Sequence, residues 1–487
     1  MRAGKLYIDG RFTDATGGAT YHVPNPATEE TIGHAADAGV ADMAAAIAAA
    51  RRAFDQGPWP TSSRDERARA LLRIADVLER RKEELRALVV AEAGATAITH
   101  GMQVDAPIDH LRYWAEQART FPFEEPLPPR ANQGAFGPQV SCGVAYRQPV
   151  GVCAMIPTWN FPAYVTVQKL GPALATGCTM VFKPSPWTPL VGSLLAEVVA
   201  EADLPPGVVN VVTGTSPQIG EALVSDARVD KISFTGSVQT GRRILAAAAP
   251  RLARVHLELG GKSVGIYLDA DDIGMNAIVA CGPAMFHAGQ GCAMATRVLV
   301  RREAHDAFVE QMAGFLKGAV TVGDPAQPTS MLGPLIRDDR RRAVEEHIAS
   351  GVAEGAKLVA GGGRPAHCEK GWFLEPTLFA GVRNDMRIAR EEIFGPVVSV
   401  IPFADEDEAV RIANDSTYGL AGAIYGRDTG QAIALAKRLR TGSVWINGGL
   451  NLFDGPFGGF KESGLGREGG RWGMEEYTEL QHVAWRA

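Results

Sequence analysis

One cysteine stands in the stretch Phe286-His287-Ala288-Gly289-Gln290-Gly291-Cys292-Ala293-Met294, with small residues on both sides of it in sequence. Such neighbours let a carbonyl carbon approach the sulfur closely, which is how a nucleophile is presented. A thiol of ordinary pKa is only a few per cent ionised at neutral pH, so an attacking Cys292 needs a donor, dipole or cation nearby. The adjacent letters supply none. They suit a small buried hydrophobe equally well, so any partners for the sulfur must come from elsewhere in the chain.

Two such partners suggest themselves. Asn160, in Trp159-Asn160-Phe161-Pro162, is a polar side chain in an apolar-aromatic stretch, and it must find a turn backbone or a substrate oxygen. Glu258 ends an otherwise apolar run that leads into Gly260-Gly261. Burying a carboxylate there is costly, and the raised pKa that burial brings suits general-base work. A turn-capping amide and a salt-bridged strand end account for the same letters.

Phosphate-binding signals are of uneven quality. Gly464, Gly466 and Gly469 spell G-x-G-x-x-G, but no clear strand precedes them and too few residues follow for a βαβ unit, so the sequence reads as a loop. Gly261-Lys262-Ser263 resembles the end of a P-loop whose first glycine is replaced by His256. Phe234-Thr235-Gly236-Ser237 is a better site, since a strand ends there and a helix over Val238 to Ala248 begins, offering free N–H groups to a pyrophosphate. Lys183 follows the run Thr179 to Phe182, at the carboxyl end of a strand, where open parallel sheets gather their ligands.

The elements that position these residues are legible from periodicity. Short β-branched runs at Val150 to Ile156, Thr179 to Phe182, Val208 to Val212, Lys231 to Phe234 and Val255 to Leu257 alternate with helical patterns. That rhythm predicts a parallel sheet with crossover helices. Gly260-Gly261 reads as a hinge, after which a second alternating region has strands near Arg297 to Val300, Val397 to Phe403, Ala421 to Tyr425 and Ser443 to Asn447. Upstream, Lys5 to Pro26 reads as small strands and turns, while Gly39 to Phe54 and Ser63 to Ala93 read as long amphipathic helices. Phe121 to Pro138, rich in proline and glycine, reads as a breaker-rich connection that leaves the main body, and Val140 to Val150 as a strand after it.

Composition excludes several classes of function. The chain has 487 residues, 46% hydrophobic and 21% charged, with a net charge of -6 and no long run of one sign. That length predicts two or three lobes, and the charge pattern marks the chain for neither nucleic acid nor membrane. The first residues lack a secretory leader's apolar core, so a cytoplasmic protein is expected. Six cysteines without CxxC spacing predict reduced thiols. Ten histidines without HxxxH or HExxH predict no metal, the adjacent His367 and Cys368 lying in a Gly/Pro-rich loop.

Together these pieces resemble the aldehyde dehydrogenase superfamily over essentially the whole chain. Glu258-Leu259-Gly260-Gly261-Lys262 is similar to its glutamate motif and Gly289-Gln290-Gly291-Cys292 to its cysteine motif. Further matches are Trp159-Asn160-Phe161-Pro162, Lys183-Pro184-Ser185, Phe234-Thr235-Gly236-Ser237, Glu391-Glu392-Ile393-Phe394-Gly395-Pro396-Val397 and Pro456-Phe457-Gly458-Gly459-Phe460-Lys461. The resemblance implies that Cys292 forms a thiohemiacetal and then a thioester. Asn160 and the Cys292 N–H would hold the oxyanion, and Glu258 would activate the hydrolytic water. It implies NAD as cofactor, with NADP left open, contacted by Ile156, Trp159, Lys183, Ser185, Phe234, Gly236, Ser237, Thr240, Leu259, Glu392 and Phe394. Phe161, Tyr164, Gln168 and Phe453 would line the tunnel of a small-molecule aldehyde, permitting a medium aliphatic or aromatic substrate without selecting one.

The implied architecture is α/β, a Rossmann-like parallel-sheet cofactor domain (1-124 and 145-258) plus a second α/β catalytic domain (259-447). A β-hairpin oligomerisation arm with a C-terminal substrate and anchor loop (125-144 and 448-487) would build a homodimer or homotetramer. Pro186 stands where NAD-preferring members often carry a glutamate, which is why NADP stays open. Thr158 and Val264 also depart from the pattern without removing a catalytic group. Two rival readings are a CoA-acylating semialdehyde dehydrogenase, whose members usually lack the glutamate found at Glu258, and a non-catalytic dinucleotide-binding protein of the same fold.

Overall fold

A run of β-branched residues bounded by turns can be buried on both faces only if helices cover it. The computed structural model, which describes residues 2–135, 137–449 and 452–486, shows how the chain arranges this twice. In the first sheet five parallel strands lie side by side in the order Arg254–Glu258, Lys231–Thr235, Val152–Ile156, Thr179–Phe182, Val209–Val211. Antiparallel edges close both sides, Gly464–Leu465 on one and Leu6–Ile8 with Arg11–Thr13 on the other. The strand order reverses beside Val152–Ile156, which creates a crevice outside the carboxyl ends of the strands.

The second sheet runs Lys357–Ala360, Thr377–Ala380, Val397–Phe403, Arg297–Arg301, Val264–Tyr267, Ala421–Tyr425, Ser443–Ile446, and is parallel except at its first pair. Only five residues separate the last residue of Arg254–Glu258 from the first of Val264–Tyr267, so the chain passes from one sheet to the other through Leu259-Gly260-Gly261-Lys262-Ser263. A third sheet pairs Thr478–Arg486 with Gly137–Pro149, and that strand with Glu124–Gly134.

Several expectations need correction. Ser63 to Ala93 is not one helix: Arg64–Arg80 and Lys82–Ala93 are separated at Arg81, whose backbone leaves the helical region (φ -100°, ψ 15°). The Arg81 guanidinium reaches Glu84, Glu197 and Glu201 there, anchoring the bend. The proline-rich stretch after Phe121 is a strand, Glu124–Gly134, because its prolines sit on a sheet edge with a register shift between Leu127 and Arg130. Gly464 and Leu465, read as part of a loop, add a short edge strand against Leu257 and Glu258. The strand Val264–Tyr267 directly after the double glycine went unread, since glycine at its second position breaks the apolar run.

Candidate functional site

Between the carboxyl ends of the first sheet and the amino ends of the second lies a cavity of about 720 Å³. Its lining includes Asn160, Glu258 and Cys292 together, three groups far apart in sequence. It also takes in every residue expected at the cofactor: Ile156, Trp159, Lys183, Ser185, Phe234, Gly236, Ser237, Thr240, Leu259, Glu392 and Phe394. Phe161, Tyr164 and Gln168 line it as well. Phe453 does not; it packs edge-on against His110, centroids 3.9 Å apart, and His110 bonds Gln168 at 2.6 Å.

Cys292 sits half-buried on a loop that the backbone holds under strain. His287 (φ 50°) and Ala288 (φ 52°) occupy the left-handed region, at a cost of order 1–3 kcal/mol each for residues with a side chain. Gly289 continues the reversal at φ 71°, where a Cβ would lie 2.0 Å from the Gly395 carbonyl oxygen, so only glycine lets the cysteine loop meet the Glu392-to-Pro396 segment. Gln290 anchors the loop. Its Nε2 donates to the carbonyls of His287 (3.0 Å) and Pro334 (3.3 Å), and its Oε1 accepts from the Ile336 N–H at 2.9 Å. Burial, then the carboxylates of Glu258 and Glu392, push the Cys292 thiol up to about 12, opposed by the Cys292 and Ala293 backbone N–H groups.

Asn160 is 2% exposed, and its Nδ2 donates to the Gln290 carbonyl at 2.8 Å. The Gln103 side chain holds the Asn160 carbonyl at 2.7 Å. One of the two amide N–H groups is thereby spent, and the other remains to donate. Glu258 is 3% exposed and neither carboxyl oxygen has a hydrogen-bond partner among the described residues. Burial and the neighbouring Glu468 carboxylate raise its pKa well above the ordinary value. Glu468 lines the same cavity, and its charge is met by the fully buried Lys169 at 2.6 Å. Neither had been singled out in the sequence: the lysine interrupts a helix of apolar letters at Pro162–Thr176, and the glutamate lies in the glycine-rich tail.

The other end of the cavity is built from the first sheet's strand ends. Ser237 caps the helix Val238–Ala248, its Oγ accepting from the Thr240 N–H at 3.3 Å. The first-turn N–H groups that the cap leaves without an intrahelical partner suit an anion. Lys183 is buried, its one hydrogen bond among the described residues being a long one, 3.5 Å to the Pro184 carbonyl, and burial brings its amine down to about 8. An ammonium so placed has donors to spare, and a ribose or phosphate oxygen would accept from them. Glu392 accepts from the Gly261 N–H at 2.9 Å and is raised by burial to about 7, with Lys262 opposing. The double glycine, read as a hinge, is required by close approach: a Cβ on Gly261 would fall 2.4 Å from the Cys292 carbonyl oxygen.

The aldehyde dehydrogenase family model matches residues 12–483. A betaine aldehyde dehydrogenase of Bacillus subtilis is 39% identical over 484 residues, covering 98% of this chain and 96% of the relative. A mutant aldehyde dehydrogenase C of Pseudomonas syringae, solved with NAD+ and octanal, superposes with a TM-score of 0.92 at 39% identity, covering 99% of this chain and 96% of that one. An aldehyde dehydrogenase of Mycobacterium tuberculosis, solved with NAD+, gives a TM-score of 0.92 at 40% identity, covering 99% and 98%. Cavity, sequence and superposition agree, and the chain belongs to the aldehyde dehydrogenase family.

Proposed function

We propose that the chain oxidises an aldehyde to a carboxylate with NAD, using Cys292 as nucleophile, Asn160 as oxyanion donor and Glu258 as general base. The observation that supports this best is the meeting of those three groups in one cavity whose far end suits a dinucleotide. The fit rests on the buried, acceptor-poor Lys183, the Ser237-capped helix and the Glu392 carboxyl. When bound there, the nicotinamide supplies a hydride acceptor and, in its oxidised form, a positive charge. Lys183 and Ser185 are assigned to the adenosine ribose, Gly236, Ser237 and Thr240 to the pyrophosphate, and Glu392 to the nicotinamide ribose. Ile156, Trp159, Phe234, Leu259 and Phe394 form the surrounding apolar walls.

The residues divide the work in time. The Cys292 sulfur adds to the aldehyde carbon, and the oxygen takes up negative charge between the free Asn160 N–H and the Cys292 backbone N–H; one such donor is worth roughly 3–4 kcal/mol of barrier. After oxidation to the thioester, the Glu258 carboxylate takes a proton from water as the water oxygen attacks the acyl carbon. The thiolate leaves, and a carboxylate is released. Glu258 gives the reading its hydrolytic character, since transfer to a larger thiol needs no base buried at that point.

The aldehyde half of the cavity is lined by Met102, Phe161, Tyr164, Val165, Trp445 and Phe457, with Gln168 its main polar group. That lining fits a neutral aliphatic or aromatic aldehyde. No helix among the described residues is long and apolar enough to cross a membrane, and we assign the chain to the cytoplasm. The three-stranded sheet exposes Leu127 (40%), Leu480 (64%) and Trp485 (50%), which supports a homodimer or homotetramer built through this arm. The lobes 1-124 with 145-258 and 259-447 are assigned to cofactor and catalysis.

The test is a screen of neutral aldehydes with NAD and NADP, following reduced nicotinamide. NADH formation with medium-chain aldehydes supports the reading, and silence with every aldehyde and both cofactors removes it. Pro186 bears on the cofactor choice: Pro186→Glu should raise the KM for NADP roughly tenfold while lowering that for NAD a few-fold, since a carboxylate accepts from ribose hydroxyls and repels a 2′-phosphate.

A further inference from the structure

A general base that holds its proton tightly hydrolyses nothing until something favours its ionised form. Glu258 is in that position, with two unpartnered oxygens in a buried site. The group nearest to offering a hydrogen bond is His256, on the same strand two residues earlier and so on the same face. Its Nε2 faces Glu258 Oε1 across 3.5 Å, and that nitrogen likewise has no partner. The ring is 1% exposed and lies against Gly466, where a Cβ would come within 2.5 Å of His256 Cδ2. The positive φ of Gly466 (82°) and this close packing both call for glycine there.

A serine and a lysine stand behind the ring. Lys169 Nζ donates to Ser233 Oγ at 3.2 Å, and the Ser233 hydroxyl lies 3.3 Å from His256 Nδ1. An ammonium can only donate, so the serine accepts from it and keeps its own proton for Nδ1 or for the Tyr477 hydroxyl. With that proton on Nδ1, Nε2 carries the ring hydrogen and lies 3.5 Å from Glu258 Oε1.

We propose that His256 is a positioning residue for hydrolysis: its Nε2–H binds the Glu258 carboxylate as it ionises, orienting the base and lowering its affinity for a proton. The inference rests on Glu258 being the base for the water. The 3.5 Å separation is long for a hydrogen bond, and catalytic contacts that are long in the free enzyme tighten in the complex with substrate. The charged groups around the ring comprise Lys169, Lys231 and Arg467 as cations, and Glu258, Glu468 and Glu476 as carboxylates, Glu468 lying 3.7 Å from Nδ1 and Glu476 2.9 Å from Lys231. Burial, and after it the three cations, hold the imidazole well below its ordinary value, so it acts as a neutral donor.

The experiment compares His256→Leu, which removes the donor, with His256→Gln, whose amide nitrogen reaches the Nε2 position. The readouts are the NADH burst, the steady-state kcat as a function of pH, and the KM for NAD. In the Leu variant the burst amplitude and KM should match the parent, while kcat at neutral pH falls about tenfold and its acid limb moves up by about one pH unit. Gln should restore the limb to near its parental position. A Leu limb coincident with the parent's, or Leu and Gln displaced alike, overturns the proposal. Should Leu fail to fold, His256→Asn replaces it, since its shorter amide matches Nδ1 and not Nε2; a coincidence of Asn and Gln profiles overturns the proposal too. A parent that forms no NADH with any aldehyde removes the function itself, which is a different result from a parent that turns over while His256 proves silent.

Discussion

The two ends of the cavity are built from similar materials to opposite purpose. Glu258 is a buried carboxyl and Glu392 a half-buried one, yet Glu392 is bonded by the Gly261 N–H at 2.9 Å and sits beside Lys262, while Glu258 has no hydrogen-bond partner among the described residues. Burial raises Glu392 to about 7, with Lys262 opposing; burial also raises Glu258 well above its ordinary value, and there Glu468 adds repulsion that Lys169 and Arg467 oppose. A satisfied carboxyl holds a ligand in place. An unsatisfied one is free to take a proton, so the contrast marks where chemistry happens and where binding does.

The widest break in this comparison is Cys292→Ala. Without the sulfur neither the burst nor the steady phase of NADH formation should appear, a fall beyond the roughly 10²- to 10⁴-fold expected of losing a general base, while NAD binding measured by titration stays within a few-fold. Glu258→Gln separates the phases. Its burst should survive, with later turnover reduced by about 10²- to 10⁴-fold. In the parent the base must be ionised and its pKa is raised, so kcat falls as the pH drops through a value well above the ordinary glutamate range. That limb should vanish in the Gln variant; equal steady rates in both proteins remove Glu258 from its role.

Asn160→Ala should cost about 10²- to 10³-fold in kcat, because the lost N–H acts on the developing oxyanion. Unlike Glu258→Gln, it should suppress burst and steady phase together. Asn160 also braces Gln290 at 2.8 Å, so a thermal midpoint lowered by more than a few degrees would indicate that the cysteine loop has moved and that the kinetic loss is indirect.

Why these roles were legible, and others were not, follows from what a local pattern encodes. The strands at Thr179–Phe182, Val397–Phe403 and Ala421–Tyr425 begin and end where β-branched runs do, and the helix after Ser237 begins at its cap. Cys292, Glu258 and Asn160 were conspicuous because each puts a reactive or costly group among small or apolar letters. Lys169, Ser233, His256 and Glu468 were not, since each looks like an ordinary helix, strand or tail residue until the first sheet's edge brings Gly464–Leu465 beside Glu258. Arg81 hid a helix break for the same reason: its partners Glu197 and Glu201 lie more than a hundred residues on. Phe453 looked like a tunnel residue and packs on His110, whose bond to Gln168 no spacing announces.

The smallest effect should come from the satisfied end. In Glu392→Gln the amide oxygen can still accept from the Gly261 N–H, so the loop that carries it keeps its bond, and only the ionised form's stronger acceptance is lost. The KM for NAD should rise a few-fold to about tenfold, consistent with the 1.5–3 kcal/mol range for bonds to charged groups discounted for the bond that survives. The loss should deepen with pH, since the parental carboxyl, raised to about 7, is mostly neutral below that value and a strong acceptor only above it. Below pH 6 parent and variant should therefore converge in KM, and above pH 8 they should separate. A KM ratio that ignores pH would mean that Glu392 holds its ligand as a neutral acid, and the distinction between a binding carboxyl and a proton-taking one would then rest on Glu258 alone.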